Sequence, residues 1–356
     1  MFTNHTYPSE QKVVLTSLHF FDAINRHYQN GLPFVAFRHP SETKITAFLQ
    51  AKHTEKKDSY FLISPFSSEN QPSRIYGDQI LTSEYTSEIT NVDHVTIEWD
   101  KLTDCRQEHI QLISSTINTI AKTNLKKVVL ATALEWNGVT KDFLAYFKTI
   151  LSLYPNTFNY VLFHPECGIW MGATPECLFT MKGSSVSTMA LAGTRVSGSS
   201  RWGKKELEEQ NFVVSDITNT LLDFSDKNSL TLSEVETVQA GHLEHLRTTI
   251  KAQVTSSPFQ LAKALHPTPA VGGVPKNSAV KFILKNESID RSLYSGFLGI
   301  VSPNETNFYV NLRCMEILDN KAKVYVGGGI TEKSSAVKEW EEVLQKANTM
   351  AKVLVS

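Results

Sequence analysis

Apolar positions along the chain follow two periods. Ile110, Ile113, Ile117 and Ile120 recur every three or four residues, the spacing that places side chains on one face of a helix. A short apolar run at 127–133 follows and reads as a strand. Phe143, Phe147, Ile150 and Leu151 mark a second helix, ended near Pro155. Strand-like runs come next at 160–163, 177–181 and 186–191, and Lys182-Gly183-Ser184-Ser185 reads as the hairpin turn between the last two. A charged segment at 202–209 opens a long helix running to about residue 224. The Pro- and Gly-rich stretch 266–276 is an irregular loop, and 278–284 is another helix. Residues 296–301, 307–317 and 322–326 read as consecutive antiparallel strands, and a last helix covers 334–353. The first hundred residues alternate more weakly, as at 34–38 and 44–49. No stretch has the composition of an interdomain linker. The pattern predicts one α+β domain over 1–356, built on large antiparallel β-sheets flanked by helices.

Composition narrows the partners more than the fold. Of 356 residues, 41% are hydrophobic and 20% charged, inside the globular range. The net charge of −1 gives no footprint for nucleic acid or an anionic membrane, both of which call for clustered Lys and Arg. The polar start of the chain carries no apolar signal core, and no run approaches a membrane span. A cytoplasmic protein is therefore expected. Cys105, Cys167, Cys177 and Cys314 form no CxxC pair and read as reduced and mostly buried. No additional interface motif stands out, so a monomer is expected.

Several short motifs admit two readings. Gly198-Ser199-Ser200-Arg201-Trp202-Gly203-Lys204-Lys205 approaches a P-loop, but Lys205 supplies no hydroxyl for Mg²⁺, which argues against nucleotide binding. His242-Leu243-Glu244-His245 lacks a third ligand at metal spacing and reads as a solvated or hydrogen-bonded pair rather than a zinc site. Gly327-Gly328-Gly329 follows a strand and precedes a helix. It is either a backbone cradle for an anion or a tight turn needing positive φ. Glu339, Glu342 and Lys346 share a helix face, and Glu206, Glu208 and Glu209 cluster on an earlier helix. Each group is either a solvated face with ion pairs or a source of carboxylates for Mg²⁺, which takes one or two from the protein. Lys127, opening an apolar strand, is either a solvent-facing end or a lysine drawn into a pocket, where burial lowers its pKa and makes it a base.

Taken in order, the blocks resemble the chorismate-utilising enzymes over residues 126–350. They are Lys127-Val128-Val129-Leu130, Gly172-Ala173-Thr174-Pro175-Glu176, Leu191-Ala192-Gly193-Thr194, the helix from Lys205 to Asp216, and His266-Pro267-Thr268-Pro269-Ala270. Asp290-Arg291-Ser292-Leu293-Tyr294-Ser295-Gly296, Leu312-Arg313-Cys314, Gly327-Gly328-Gly329-Ile330 and Glu339-Trp340-Glu341-Glu342 complete the series. Residues 1–100 match poorly. The resemblance implies the chorismate-utilising fold. A lysine at position 127 resembles the members that use water rather than ammonia, and Ala192 stands where the aminodeoxychorismate synthases carry a lysine. The His266–Ala270 block resembles the isochorismate synthases more than the salicylate synthases.

The activity so implied is Mg²⁺-dependent conversion of chorismate to isochorismate. A salicylate synthase, which also eliminates pyruvate, and a non-catalytic chorismate-binding homologue are the alternatives. By the same resemblance, Lys127 is the base and Glu176 the acid. Glu209 and Glu342 hold Mg²⁺, with Glu206 and Glu339 nearby. Gly193, Thr194, Tyr294, Arg313, Gly327 and Lys346 bind substrate. The chain departs from the family at Thr132, often Arg, and at Gln210, often His. Isochorismate feeds menaquinone and siderophore synthesis, and these residues do not choose between them.

Overall fold

The computed structural model describes residues 12–67, 69–86, 105–196, 198, 201–240 and 243–355. In chain order the elements are β1 (Lys12–Val14), α1 (Ser17–Gln29), β2 (Phe34–Arg38), β3 (Lys44–Leu49), β4 (Tyr60–Ser64), β5 (Ser73–Tyr76), β6 (Gln79–Glu84), α2 (Arg106–Lys122) and β7 (Lys127–Asn137). They continue with α3 (Phe143–Leu153), β8 (Phe158–His164), β9 (Gly168–Thr174), β10 (Cys177–Lys182), β11 (Ser185–Val196), α4 (Lys204–Leu222), β12 (Thr231–Leu232), β13 (Glu236–Ala240) and β14 (Leu243–Gln253). The last are α5 (Pro258–Leu265), β15 (Gly273–Val274), α6 (Lys276–Asn286), β16 (Phe297–Val301), β17 (Glu305–Val310), β18 (Cys314–Ile317), β19 (Lys321–Ile330) and α7 (Ala336–Leu354).

Two large sheets result. The first runs β1-β6-β3-β2-β8-β9-β18-β19-β7-β15, and the second β12-β14-β11-β10-β17-β16-β4-β5 with β13 also on β14. Pairing is antiparallel except between β1 and β6, which are parallel. The sheets share an aromatic layer: Phe158 of the first stacks on Tyr309 of the second with ring centroids 4.1 Å apart, and Phe37, Phe61 and Tyr160 are fully buried around them. Aromatic side chains bury large areas and set packing geometry through such offset contacts. The outer face of the first sheet is covered by α1, α3 and α7, and that of the second by α4 and α5. Strand β8 is therefore covered on both faces, which is why Phe158 to Leu162 are all buried and show no polar alternation.

The α+β expectation holds, and the hairpin at Gly183 forms with φ +55. Helices α1 and α5 and strands β9 and β12 to β15 go beyond the expected elements. α5 starts with a capping box in which Ser257 and Gln260 satisfy each other's backbone donors. The stretch 307–317 is not one strand. It breaks between β17 and β18, where Arg313 adopts φ +48 and the chain passes from the second sheet to the first. Cys314 is buried, whereas Cys105, Cys167 and Cys177 are only partly so, and no disulfide joins these four. Among the described residues, no helix is long and apolar enough to cross a membrane.

Candidate active site

The chain changes sheet twice in adjacent places. β9 in the first sheet gives way to β10 in the second across Pro175 and Glu176, and β17 returns to β18 across Asn311, Leu312 and Arg313. The two corners are bonded together: Val310 N donates to Glu176 O at 3.0 Å and Ala173 N to Arg313 O at 3.0 Å. Thr174, buried under the first corner, donates from Oγ1 to Val310 O at 2.5 Å. Asn311, buried under the second, accepts from Tyr160 OH at 2.6 Å and donates to Leu293 O at 2.9 Å. That last bond fixes the turn carrying Tyr294. Glu176 and Arg313 thus project from a rigid seam between the sheets.

Lys127 enters the same space from the first residue of β7. Burial lowers its pKa. Glu209, Glu176 and Glu342 pull it back up, and Lys346 pushes it further down. Burial likewise drives Glu176 up to about 7, against the opposing pull of Lys127 and of the Thr268 hydroxyl. Each group is displaced toward its uncharged form by the cause expected for a site poor in water. One lysine and one glutamate from different sheets thus act on each other's charge, and the lysine also responds to carboxylates of two helices.

The start of β7 is held by an unusual edge. β15 pairs only with Lys127 and Val128, and Val129 N reaches Gly272 O at 2.9 Å. Beyond that point a buried ion pair does the work of a neighbouring strand. Arg291 and Glu287, both about 3% exposed, meet at 2.6 Å. Arg291 Nη2 donates to Val129 O at 2.6 Å, and Glu287 Oε1 accepts from Ala131 N at 2.8 Å.

The glycines are not a turn. Gly327, Gly328 and Gly329 lie inside β19, paired with Ala131, Leu130 and Val129, and none has positive φ. They are needed for close approach. A Cβ at Gly327 would lie 2.9 Å from Tyr294 OH and 2.7 Å from Leu130 O, and one at Gly329 would lie 2.8 Å from Lys127 Cε. The tight turn with positive φ is therefore not formed. Gly193, with φ +68, makes a bulge in the β11–β14 ladder, and a Cβ there would crowd Glu206 at the start of α4. Thr194 is paired with His245 across this bulge, and its side chain lies outside the described residues.

Helix α7 carries Glu339, Glu342 and Lys346 beside β19. Lys346 Nζ bonds Glu342 at 2.7 Å and donates to Gly327 O at 3.1 Å. A Cβ at Gly328 would stand 3.8 Å from Glu339 Oε2. Arg313 Nη1 donates to Lys346 O at 2.9 Å, and Tyr294 and Glu342 both act on its charge. Burial raises Tyr294 to about 12, so it is a neutral donor. On α4, Glu208 pairs with exposed Lys204 at 3.8 Å, while Glu209 acts on the charge of Lys127. The ion-pair reading of the helix faces is realised by i,i+4 pairs on both helices, Glu342 with Lys346 on α7 and Glu208 with Lys204 on α4. The structure gathers Lys127, Glu176, Glu209, Glu342, Lys346, Arg313 and Tyr294, with Gly193, Gly327, Glu206 and Glu339 at the margins.

Carboxylates on α4 and α7 are hard oxygen donors from separate segments, which suits Mg²⁺, although no three His, Cys, Asp or Glu side chains converge among the described residues. His242, Ser199 and Ser200 lie outside the described residues, as does the side chain of Lys205. His245 was passed over as a zinc ligand and belongs here instead. Its Nδ1 donates to Gly193 O at 3.2 Å, and Arg313 and Lys346 join burial in lowering its pKa. The signal for it was its position opposite the Gly193 bulge. The two family departures point elsewhere. Thr132 is five residues from Lys127, so it faces the opposite side of β7, next to Cys105 at 3.7 Å. Gln210 is 1% exposed and bonds Ala190 O and Thr248 Oγ1 at 3.1 and 3.0 Å.

A sequence model of the family described as "Chorismate binding enzyme" matches residues 50–355. The chain belongs to this family. It is 32% identical over 214 residues to the isochorismate synthase MenF of Pasteurella multocida, covering 55% of this chain and 49% of that protein. It is 25% identical over 344 residues to the vibriobactin-specific isochorismate synthase of Vibrio cholerae, covering 91% of this chain and 85% of that one. The match therefore spans about half the length of the Pasteurella relative. The crystal structure of MenF, the menaquinone-specific isochorismate synthase of Escherichia coli, superposes with a TM-score of 0.77 at 21% identity, over 90% of this chain and 88% of that one. The shared fold extends through both sheets of the chorismate-binding enzyme.

Proposed function

We propose that this chorismate-binding enzyme is an isochorismate synthase, adding water at C2 of chorismate with loss of the C4 hydroxyl. One observation carries the reading. Lys127 and Glu176 act on each other's charge where burial moves both toward the uncharged forms that this acid–base reaction requires. Neutral Lys127 takes a proton from the attacking water as its oxygen bonds to C2. The ring double bonds shift and the C4–O bond breaks. Glu176 gives its proton to that oxygen, which leaves as water. A positioned acid and base each contribute about 10²–10⁴ in rate.

Arg313, with a planar fork suited to a carboxylate, would hold the enolpyruvyl carboxylate together with Tyr294, Lys346 and the backbone at Gly193 and Gly327. Thr194 would reach the C4 hydroxyl or the ring carboxylate. Glu209 and Glu342 would hold Mg²⁺, with Glu206 and Glu339 assisting. When bound, the metal would neutralise the ring carboxylate and draw charge from the shifting double bonds. Ala192, which offers no amine beside Gly193, favours water as nucleophile. The relatives named isochorismate synthases support the same reading.

The decisive assay supplies chorismate and Mg²⁺ without ammonia and separates the products. Isochorismate in reversible equilibrium with chorismate is expected. Folded protein that leaves chorismate intact would refute the proposal, and pyruvate released in step with chorismate loss would make the enzyme a salicylate synthase.

A further inference from the structure

Thr268 lies on the loop between α5 and β15 and is 6% exposed. Its buried Oγ1 has no hydrogen-bond partner, yet it lines the same cavity as Glu176 and acts on that carboxyl. Thr268 and Glu176 line one small cavity with Val213 and Ile217 of α4. A buried hydroxyl without a partner destabilises the fold, so its place beside a reactive group calls for a reason. The loop leaves it little freedom. Thr268 O accepts from Val271 N and Gly272 N at 3.1 and 2.9 Å. Lys276 Nζ ties the two ends of the loop by donating to Ala264 O and Leu265 O at 2.8 and 3.1 Å.

We propose that Thr268 is a positioning residue for the proton donor, its hydroxyl meeting the charge that Glu176 acquires when it gives its proton away. The inference rests on the reading of Glu176 as the acid. A protonated carboxyl directs its O–H at the leaving oxygen and asks little of Thr268. Once ionised it only accepts, and a hydrogen bond to a carboxylate is stronger than one to a neutral acid. The interaction therefore grows along the reaction, which raises turnover rather than affinity. The other groups acting on Glu176 are Lys127 on β7 and Cys177, the next residue. Neither is a neutral donor placed by the α5–β15 loop.

The test compares Thr268→Val, which keeps the shape and loses the hydroxyl, with Thr268→Ser, which keeps the hydroxyl. Kinetics with chorismate are joined to a substrate-free titration of Glu176 by carboxyl infrared or ¹³C NMR, assigned with Glu176→Gln. Thr268→Val is expected to lower kcat about tenfold to a hundredfold. KM should stay within about twofold, the Glu176 titration should move to higher pH, and Thr268→Ser should recover most of each change. The folded fraction is not at risk, because the valine removes an unpartnered polar atom. If wild type turns chorismate over and Thr268→Val changes neither kcat nor the titration, the positioning role falls alone. It also falls if Ser loses as much as Val, which would mark a packing effect. If wild type shows no turnover while the titration still moves, the proposed function falls and the pairing of hydroxyl with carboxylate stands.

Discussion

At the residue scale, burial moves Lys127 and Glu176 toward their uncharged forms, and this has measurable consequences. Glu176 titrates at about 7 in the fold against about 4.3 in an unfolded chain. Below pH 4 it is protonated in both states and costs nothing. Between about 4.5 and 7 the unfolded chain ionises first, so stability falls as pH rises, and above 7 the fold carries a buried carboxylate. Glu176→Gln should therefore match wild type near pH 4 and exceed it at pH 8 by about 1–3 kcal/mol. Denaturant unfolding at the two pH values would show this, and equal stability at pH 8 would contradict the assigned environment. The rate should follow the same group: kcat should decline on the alkaline side with a midpoint near 7, as the acid loses its proton. Lys127→Gln should cost about 10²–10⁴ in kcat with a much smaller change in KM. An unchanged turnover number would remove Lys127 as the base.

At the element scale, one edge of β7 depends, beyond its short pairing with β15, on partners that are not a strand. Arg291→Ala would leave Glu287 charged in a site where both side chains are 3% exposed and would strip Val129 O of its donor. Breaking such a pair costs about 3–5 kcal/mol, to be read as a lower unfolding midpoint. Replacing both partners with methionine should not restore stability, since Ala131 N also loses its acceptor. Amide exchange at Ala131 should rise in either variant. Much of this level was legible in the sequence. β2 and β3 match the alternating runs at 34–38 and 44–49, because each has apolar residues at a strand's period. The break at Arg313 was not, because Asn311, Leu312 and Arg313 carry no Gly or Pro and continue the apolar alternation into Cys314. A positive φ at arginine is set by the seam between sheets, not by local preference. The three glycines misled for the converse reason. Consecutive glycine is turn chemistry by default, and only Tyr294 and Lys127, distant in sequence, explain why strand β19 needs it. Lys127 and Glu176 stood out through resemblance to a family, whereas their meeting across two sheets is a property of topology.

At the scale of the whole molecule, the site draws on helices anchored to different sheets. α4 is anchored on the second sheet through Val213, Ile217 and Leu221. α7 is anchored on the first through Trp340, Val343, Ala347 and Met350. Glu209 and Glu342 of these helices both act on the charge of Lys127, and a cation held by both would bridge α4 and α7. Binding to the folded state alone stabilises it by RT ln(1 + [L]/Kd), about 2.7 kcal/mol at a hundredfold excess over Kd. Mg²⁺ should accordingly raise the thermal midpoint without chorismate present. Hydrogen exchange should slow on α4 and α7 together, while α1 and α3, which carry none of the proposed ligands, should be unaffected. Glu209→Gln and Glu342→Gln should each abolish the Mg²⁺ response and change the metal-free midpoint little, since Glu342 is exposed and its ion pair with Lys346 is a surface one. A Mg²⁺ shift that survives both substitutions would place the metal elsewhere. A shift lost in Glu342→Gln but kept in Glu209→Gln would confine it to α7, and the two sheets would then be joined at this site by the protein's own seam alone.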